Sequence, residues 1–182
     1  MKSANIRVSV FIASSLDGFI ARPDGDVSWL DEFEPMDEGE DGGYGELFSS
    51  VDALVMGRGT FEKVLEFDWP YGDKPVIVLS RTLTDMPEKL RDSIRVDSST
   101  PQEVLVKLAE EGFKHIYLDG GKVIQSFLRA GLVDDLTLTI IPVLLGEGLP
   151  LFGTLDQDIK LQLMDSRSWE NGFTQAKYKV LK

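Results

Sequence analysis

Three short segments carry residue types suited to holding phosphate. They are Gly57-Arg58-Gly59-Thr60, Ser80-Arg81-Thr82 and Gly120-Gly121-Lys122. Glycine lets a backbone approach a ligand closely, and in each segment a cation stands beside a small residue. The first and third fall where an apolar run gives way to a helical pattern, so the free amides of a helix N-terminus would face the same ligand. A single Gly-rich turn ordinarily does no more than turn the chain. The joint reading therefore rests on convergence: in an open α/β sheet, ligands bind at the carboxyl ends of the strands. There is no G-x-G-x-x-G after the first apolar run and no G-x-x-x-x-G-K-[ST] anywhere, which excludes those two fingerprints.

Composition removes other chemistries. The 182 residues include no cysteine and one histidine, His115. Thiolate catalysis, disulfides, iron–sulfur clusters and multi-histidine metal sites are excluded. Nor does the acidic tract from Asp31 to Glu46 have the spacing of a calcium loop, so no metal is expected. With 31 acidic against 19 basic residues, the net charge is −12, which disfavours nucleic acid and anionic membranes as partners. No apolar stretch approaches a membrane span and the first residues do not read as an export signal, so a cytoplasmic location is expected. At 42% hydrophobic and 27% charged, the chain reads as one folded domain over 1–182.

The elements that must position these turns follow from local pattern. Strands are expected at 6–13, 52–57, 75–80, 94–97, 115–119, 136–141, 159–165 and 172–180, with Asn171-Gly172 as a hairpin signal. Helices are expected at 43–50, 61–67, from Pro101 to Gly112, and from Lys122 to Ala130. Thr100-Pro101-Gln102-Glu103 has the form of a capping box with proline at the first helical position. Alternation followed by a strand-only end predicts an α/β fold: a mostly parallel central sheet, helices on both faces and an antiparallel C-terminal edge. The middle of the acidic tract reads as a loop, a candidate lid.

Taken in order, the segments Ile12-Ala13-Ser14-Ser15-Leu16-Asp17-Gly18-Phe19, Met56-Gly57-Arg58-Gly59-Thr60-Phe61-Glu62, Leu79-Ser80-Arg81 and Asp119-Gly120-Gly121 resemble the dihydrofolate reductase superfamily. The nearer likeness is to its riboflavin-pathway branch, the RibD C-terminal domain. Ala130-Gly131-Leu132-Val133-Asp134-Asp135-Leu136 and the Pro142–Phe152 segment are similar to that branch too. The resemblance spans about residues 6–181 and implies a three-layer dihydrofolate reductase-like fold and an NADPH-dependent reductase. By the same resemblance, Gly57, Arg58 and Thr60 contact cofactor phosphates, and Ser80 and Arg81 lie near the adenosine 2′-phosphate. Gly120, Gly121, Lys122 and Val123 lie under the pyrophosphate, and Ala13 lies beside the nicotinamide amide. The branch's bifunctional enzyme also carries a zinc deaminase needing H-x-E and P-C-x-x-C; the absence of cysteine leaves only the reductase half.

A hydride delivered to C=N or C=O calls for a proton, which a carboxyl of raised pKa can supply. Asp17 is the first candidate, on its loop's likeness to the family's active-site loop, and Asp31 the second. Trp29 and Asp119 are candidates for substrate binding. The expected substrate is a small pyrimidine- or pterin-like molecule, by resemblance the ribosylamino-uracil phosphate of riboflavin synthesis. Folate reduction proper and a non-catalytic nucleotide-binding or oligomeric scaffold are the alternatives. The resemblance also implies a homodimer, for which the apolar run Leu136–Leu145 is a candidate interface, although it equally suits an internal strand.

Overall fold

The first strand, β1 (Arg7–Ser15), finds both of its partners in the second half of the chain, and the sheet grows outward from that pairing. The structure is a computed structural model that describes residues 5–182. The expectation of no export signal rests partly on residues 1–4, which lie outside the described residues. After β1 come β2 (Phe19–Ala21), a 3₁₀ turn at Ser28–Glu32, α1 (Tyr44–Ser50), β3 (Ala53–Gly57), α2 (Arg58–Val64), β4 (Val76–Leu79) and a 3₁₀ turn at Glu88–Leu90. Then follow β5 (Ile94–Asp97), α3 (Pro101–Glu110), β6 (His115–Asp119), α4 (Gly121–Arg129), β7 (Asp135–Ile141), β8 (Leu149–Pro150), β9 (Leu161–Ser168) and β10 (Thr174–Val180).

Eight strands form one sheet in the order β5-β4-β3-β6-β1-β7-β10-β9. All pairings from β5 to β7 are parallel, while β10 runs antiparallel to both β7 and β9. The side-chain period of two sends alternate residues to opposite faces. Ala53 and Val55 join Ile116, Leu118 and Ile77 under α3 and α4, with Leu105, Leu108, Ile124 and Phe127 supplied by the helices. Leu54 and Met56 join Val76, Val78 and Tyr117 on the other face, covered by Phe61 of α2 and by Tyr44 and Leu47 of α1. These three layers are the expected architecture.

Local signals succeeded where they were self-contained. The α3 capping box forms: Thr100 N–H donates to Glu103 Oε2 at 2.8 Å and Glu103 N–H to Thr100 Oγ1 at 3.4 Å. The second helix, by contrast, starts at Arg58 rather than Phe61, so Arg58, Gly59 and Thr60 form its first turn. First-turn amides need no intrahelical partner, so glycine is tolerated there. The strands β2 and β8, three and two residues long, have too little sequence for a period and exist only by pairing with each other. The run Leu136–Leu145 is not one surface: its β7 part is enclosed between β1 and β10, with Leu136 buried, while Leu144 is exposed.

The acidic segment is tied down rather than free. The Phe33 ring meets that of Phe173 edge-on at 6.0 Å, and Asn171 Nδ2 donates to the Glu34 carbonyl at 3.0 Å, both on the β9–β10 hairpin. Asp41 then accepts the amides of Gly43 and Gly45 at 2.8 and 2.7 Å, which starts α1. Among the described residues no helix is long and apolar enough to cross a membrane.

Phe127 is fully buried where α4 meets the sheet. Phe127→Ala is expected to cost about 3–5 kcal/mol by loss of burial and a residual cavity. The fall in unfolding free energy by urea titration measures it; a loss under about 1 kcal/mol would show the core can close the gap.

Candidate active site

Strand register brings the predicted turns together. Gly57 pairs with Leu79, Leu79 with Asp97, and Met56 with Asp119, so β3, β4, β5 and β6 all end at one level. Two adjoining clefts open there. The larger, about 700 Å³, is lined by Gly57, Arg58, Thr60, Gly120, Gly121, Lys122 and Val123. The smaller, about 340 Å³, is lined by Ser80, Arg81 and Asp97 through Pro101. They share Leu79, Ser99 and Pro101 as a common wall. Ala13 lines neither; it sits on β1, beyond β6, opposite Thr139 of β7.

Glycine is required at one crossing and leaves space at another. Gly120 has φ +95°, and a Cβ there would collide with Thr60 Oγ1, so this glycine lets the α2 and α4 starts touch. A Cβ at Gly121 would lie 2.8 Å from the Pro150 carbonyl oxygen. A Cβ at Gly59 would meet nothing within 4 Å, so the space over that helical turn is open.

The cations divide into paired and unpaired. Arg58 donates from Nε to Glu62 Oε1 at 2.6 Å and from Nη1 to Thr82 Oγ1 at 2.9 Å, which bridges the first turn to the second. Arg81 and Lys122 are exposed and have no hydrogen-bond or ion-pair partner among the described residues. Ser80 Oγ accepts the amides of Thr82 and Leu83 at 3.2 and 3.0 Å, so it also shapes its own turn. Sequence reasoning missed Asp97, Ser99, Gln125 and Pro150 of the cleft walls. Only Asp97, the end of an expected strand, had a local signal.

The carboxylates behave differently from expectation. Asp17 accepts Ser15 Oγ–H at 2.6 Å and the amides of Gly146 and Leu145 at 2.8 and 3.1 Å. The Ser15 hydroxyl foremost, with those amides, holds it below the usual aspartate value. A proton donor needs the opposite shift, so the acid role expected of Asp17 finds no support; the residue is an ionised clamp joining two loops. Asp31 is exposed on the 3₁₀ turn. The same turn buries Trp29 to 1% exposure, and its Nε1–H is the one fully buried side-chain polar atom without a partner among the described residues.

Asp119, at the end of β6, is the carboxyl whose environment favours the neutral form. Burial pushes it up to about 6, against the lowering effect of the Gly120 amide and the Tyr71 hydroxyl, which donates at 3.4 Å. Tyr44, Tyr71 and Tyr117 crowd the same region, and burial raises all three phenols. Tyr117 donates to the Phe11 carbonyl at 2.9 Å, which links this group to β1. His115 lies at the other end of β6, near Ser9 Oγ at 2.8 Å, and burial lowers its pKa; it belongs to packing at the amino ends of the strands.

The Asp119 shift carries a sign. Its folded pKa of about 6 exceeds the ordinary 3.8, so the native state loses stability as pH rises between them. The cost is up to about 3 kcal/mol above that range and vanishes below it. Asp119→Asn is therefore expected to unfold at higher urea than the parent at pH 7.5 and at equal urea near pH 4. A variant less stable at both values would show that the carboxylate is held by favourable contacts.

Comparison with known proteins places this geometry in a family. The model for the RibD C-terminal domain matches residues 7–174. A Bacillus subtilis (strain 168) relative, uncharacterized protein YwjB, is 36% identical over 164 residues, covering 88% of this chain and 90% of its own. A crystal structure from Shewanella sp. PV-4, provisionally assigned to riboflavin biosynthesis, superposes with a TM-score of 0.90 at 38% identity, over 97% of this chain and 100% of its own. Dihydrofolate reductase from Enterococcus faecalis, 19% identical with a TM-score of 0.66 over 97% of each chain, shares the fold. The family match runs through all three converging turns, and the chain belongs to the RibD C-terminal domain family, on a dihydrofolate reductase-like fold.

Proposed function

We propose that the protein is an NADPH-dependent reductase acting on a small pyrimidine- or pterin-like molecule, of the 5-amino-6-(5-phosphoribosylamino)uracil reductase type. One observation carries this reading: two glycine-opened helix starts and two unpartnered cations, Arg81 and Lys122, border adjoining clefts in a chain of net charge −12. Cations at a cleft raise the local potential there and favour an anionic ligand against the net negative charge of the chain. The open space over Gly59 suits a phosphate drawn to helix amides. In support, the enterococcal dihydrofolate reductase is complexed with NADP(H).

Gly57, Thr60, Gly120, Gly121 and Val123 would cradle the pyrophosphate, with Arg58 and Lys122 supplying charge. Ser80 and Arg81 would take the 2′-phosphate, and Ala13 would border the nicotinamide end. NADPH supplies the hydride when bound. Asp119, kept partly protonated near neutrality by burial, is the group that holds a proton for the reduced substrate, directly or through water. Trp29, expected to bind substrate, is enclosed by the protein and lines neither cleft, so no substrate contact is proposed for it.

Titration with NADPH and NADH, followed by tryptophan-to-nicotinamide energy transfer at two salt concentrations, tests the reading. Salt-sensitive NADPH binding is expected. Arg58→Ala and Arg81→Ala should each weaken it by about tenfold, roughly 1.4 kcal/mol. Binding of neither cofactor would overturn the assignment. With cofactor bound, turnover of dihydrofolate would favour folate reduction, and no hydride transfer to any acceptor a binding protein.

We also propose that the chain forms a homodimer through β9. Every residue of this outer strand is exposed, including Leu163 at 55% and Met164 at 56%, and residues 152–158 before it are exposed as well. A bare edge strand is a template for pairing with another strand. Antiparallel pairing of two copies about Ser166 would set each Asp165 opposite the partner copy's Arg167. Light scattering should give roughly 41 kDa, twice the 20.3 kDa chain. Leu163→Arg combined with Met164→Glu should halve that mass; a monomeric parent protein would end the proposal.

A further inference from the structure

The smaller cleft contains a carboxylate that is at odds with a phosphate ligand. Asp97 closes β5 beside Ser80 and Arg81, with its side chain only 10% exposed. It stays ionised, held at about 2 by hydrogen bonds from Lys107 and Ser99 that outweigh its burial. A free aspartate at this place would repel a 2′-phosphate and accept from the vicinal hydroxyls of an unphosphorylated ribose. Here neither oxygen is free. Oδ1 accepts the Ser99 amide at 2.7 Å, and Oδ2 accepts the Lys107 ammonium at 2.9 Å. Lys107 reaches across from α3 and is fixed by a second bond, to Ser99 Oγ at 2.6 Å. The neighbouring Glu103 also feels the Lys107 charge, but its Oε2 is taken by Thr100 N and Oγ1, each at 2.8 Å, and the direct bond from Lys107 goes to Asp97.

We infer that Lys107 determines which nicotinamide cofactor the cleft accepts, by masking Asp97 while Arg81 remains unpaired. This rests on the proposal that NADPH binds across the two clefts. With the pair intact, Lys107 neutralises the carboxylate in the cleft wall and Arg81 stays unpaired for the phosphate. Without the Lys107 ammonium, Arg81 and Asp97 cancel each other, and Oδ2 becomes an acceptor for a ribose hydroxyl. Lys107 is thus a specificity residue that acts through Asp97.

The test is a double-mutant cycle read by cofactor affinity. NADPH, NADH and the fragment 2′,5′-ADP are titrated against the parent protein, Lys107→Met, Asp97→Asn and the double variant. Lys107→Met is expected to weaken NADPH and 2′,5′-ADP by about tenfold or more while leaving NADH equal or tighter. In the double variant, where no carboxylate remains to unmask, the NADPH-to-NADH ratio should return to the parent value. Equal weakening of both cofactors in Lys107→Met, or no rescue by Asp97→Asn, would mean the pair only braces α3 against β5 and would overturn the inference. The melting temperature of each variant accompanies the titrations, and the ratio of affinities is unaffected by a uniform loss of folded protein. If the parent bound neither cofactor nor 2′,5′-ADP, the proposed function would fall first and this inference with it. NADPH binding with an unchanged ratio would remove this inference alone.

Discussion

The contact between Thr60 and Gly120 sets the distance between the first turns of α2 and α4. A side chain at 120 would drive the two helix starts apart, and its positive φ is open to few residues other than glycine. Closing that gap has two results. It lets β3 and β6 end side by side, and it points two sets of free amides into one cleft rather than two. The β8 segment then closes over Gly121, with the Pro150 carbonyl too near for any larger residue and also accepting Gln125 Nε2 at 3.0 Å. Two adjacent glycines thus divide the work: Gly120 sets the shape of the cleft and Gly121 lets the β8 segment close over it.

Around that contact, charge is distributed unevenly. The chain carries twelve more negative than positive charges, yet Arg58, Arg81 and Lys122 all border the clefts. Arg58 is partly neutralised by Glu62 and spans to Thr82, so it acts as a brace as well as a charge. The acidic residues serve elsewhere as acceptors for backbone amides: Asp17 for Leu145 and Gly146, Asp41 for Gly43 and Gly45, Asp52 for Lys114 and His115. In each case an ionised carboxylate satisfies amides in a loop or at the first residues of α1 and β6.

How much of this could be read in the sequence depended on range. The glycine turns, the α3 cap and the layer order are local or periodic features, and they were legible. Asp17 was legible only in part: its strongest bond comes from nearby Ser15, but the clamp is completed by amides at 145 and 146, well over a hundred residues away. Asp119 was singled out beside its glycines, but its raised pKa comes from burial, which only the fold creates and which outweighs the lowering bonds from Gly120 and Tyr71. The acidic segment looked like a solvated loop because its anchors, Phe173 and Asn171, lie at the far hairpin. Two strands of two and three residues are beyond any periodicity.

The position of β1 has a consequence for synthesis. Its ladder partners are β6 and β7, so Arg7 waits for His115 and Ser9 for Asp135 before either can pair. At translation rates of about 5–20 residues per second, the interval is on the order of 5–25 s. Within that time β3, β4 and β5 can already assemble, because each neighbours the next in both sequence and space. Until residues 115–141 are made, β1, with Val8, Val10 and Phe11, lacks both of its ladder partners. Its late pairing, across more than a hundred residues, makes that step of folding long-range and slow.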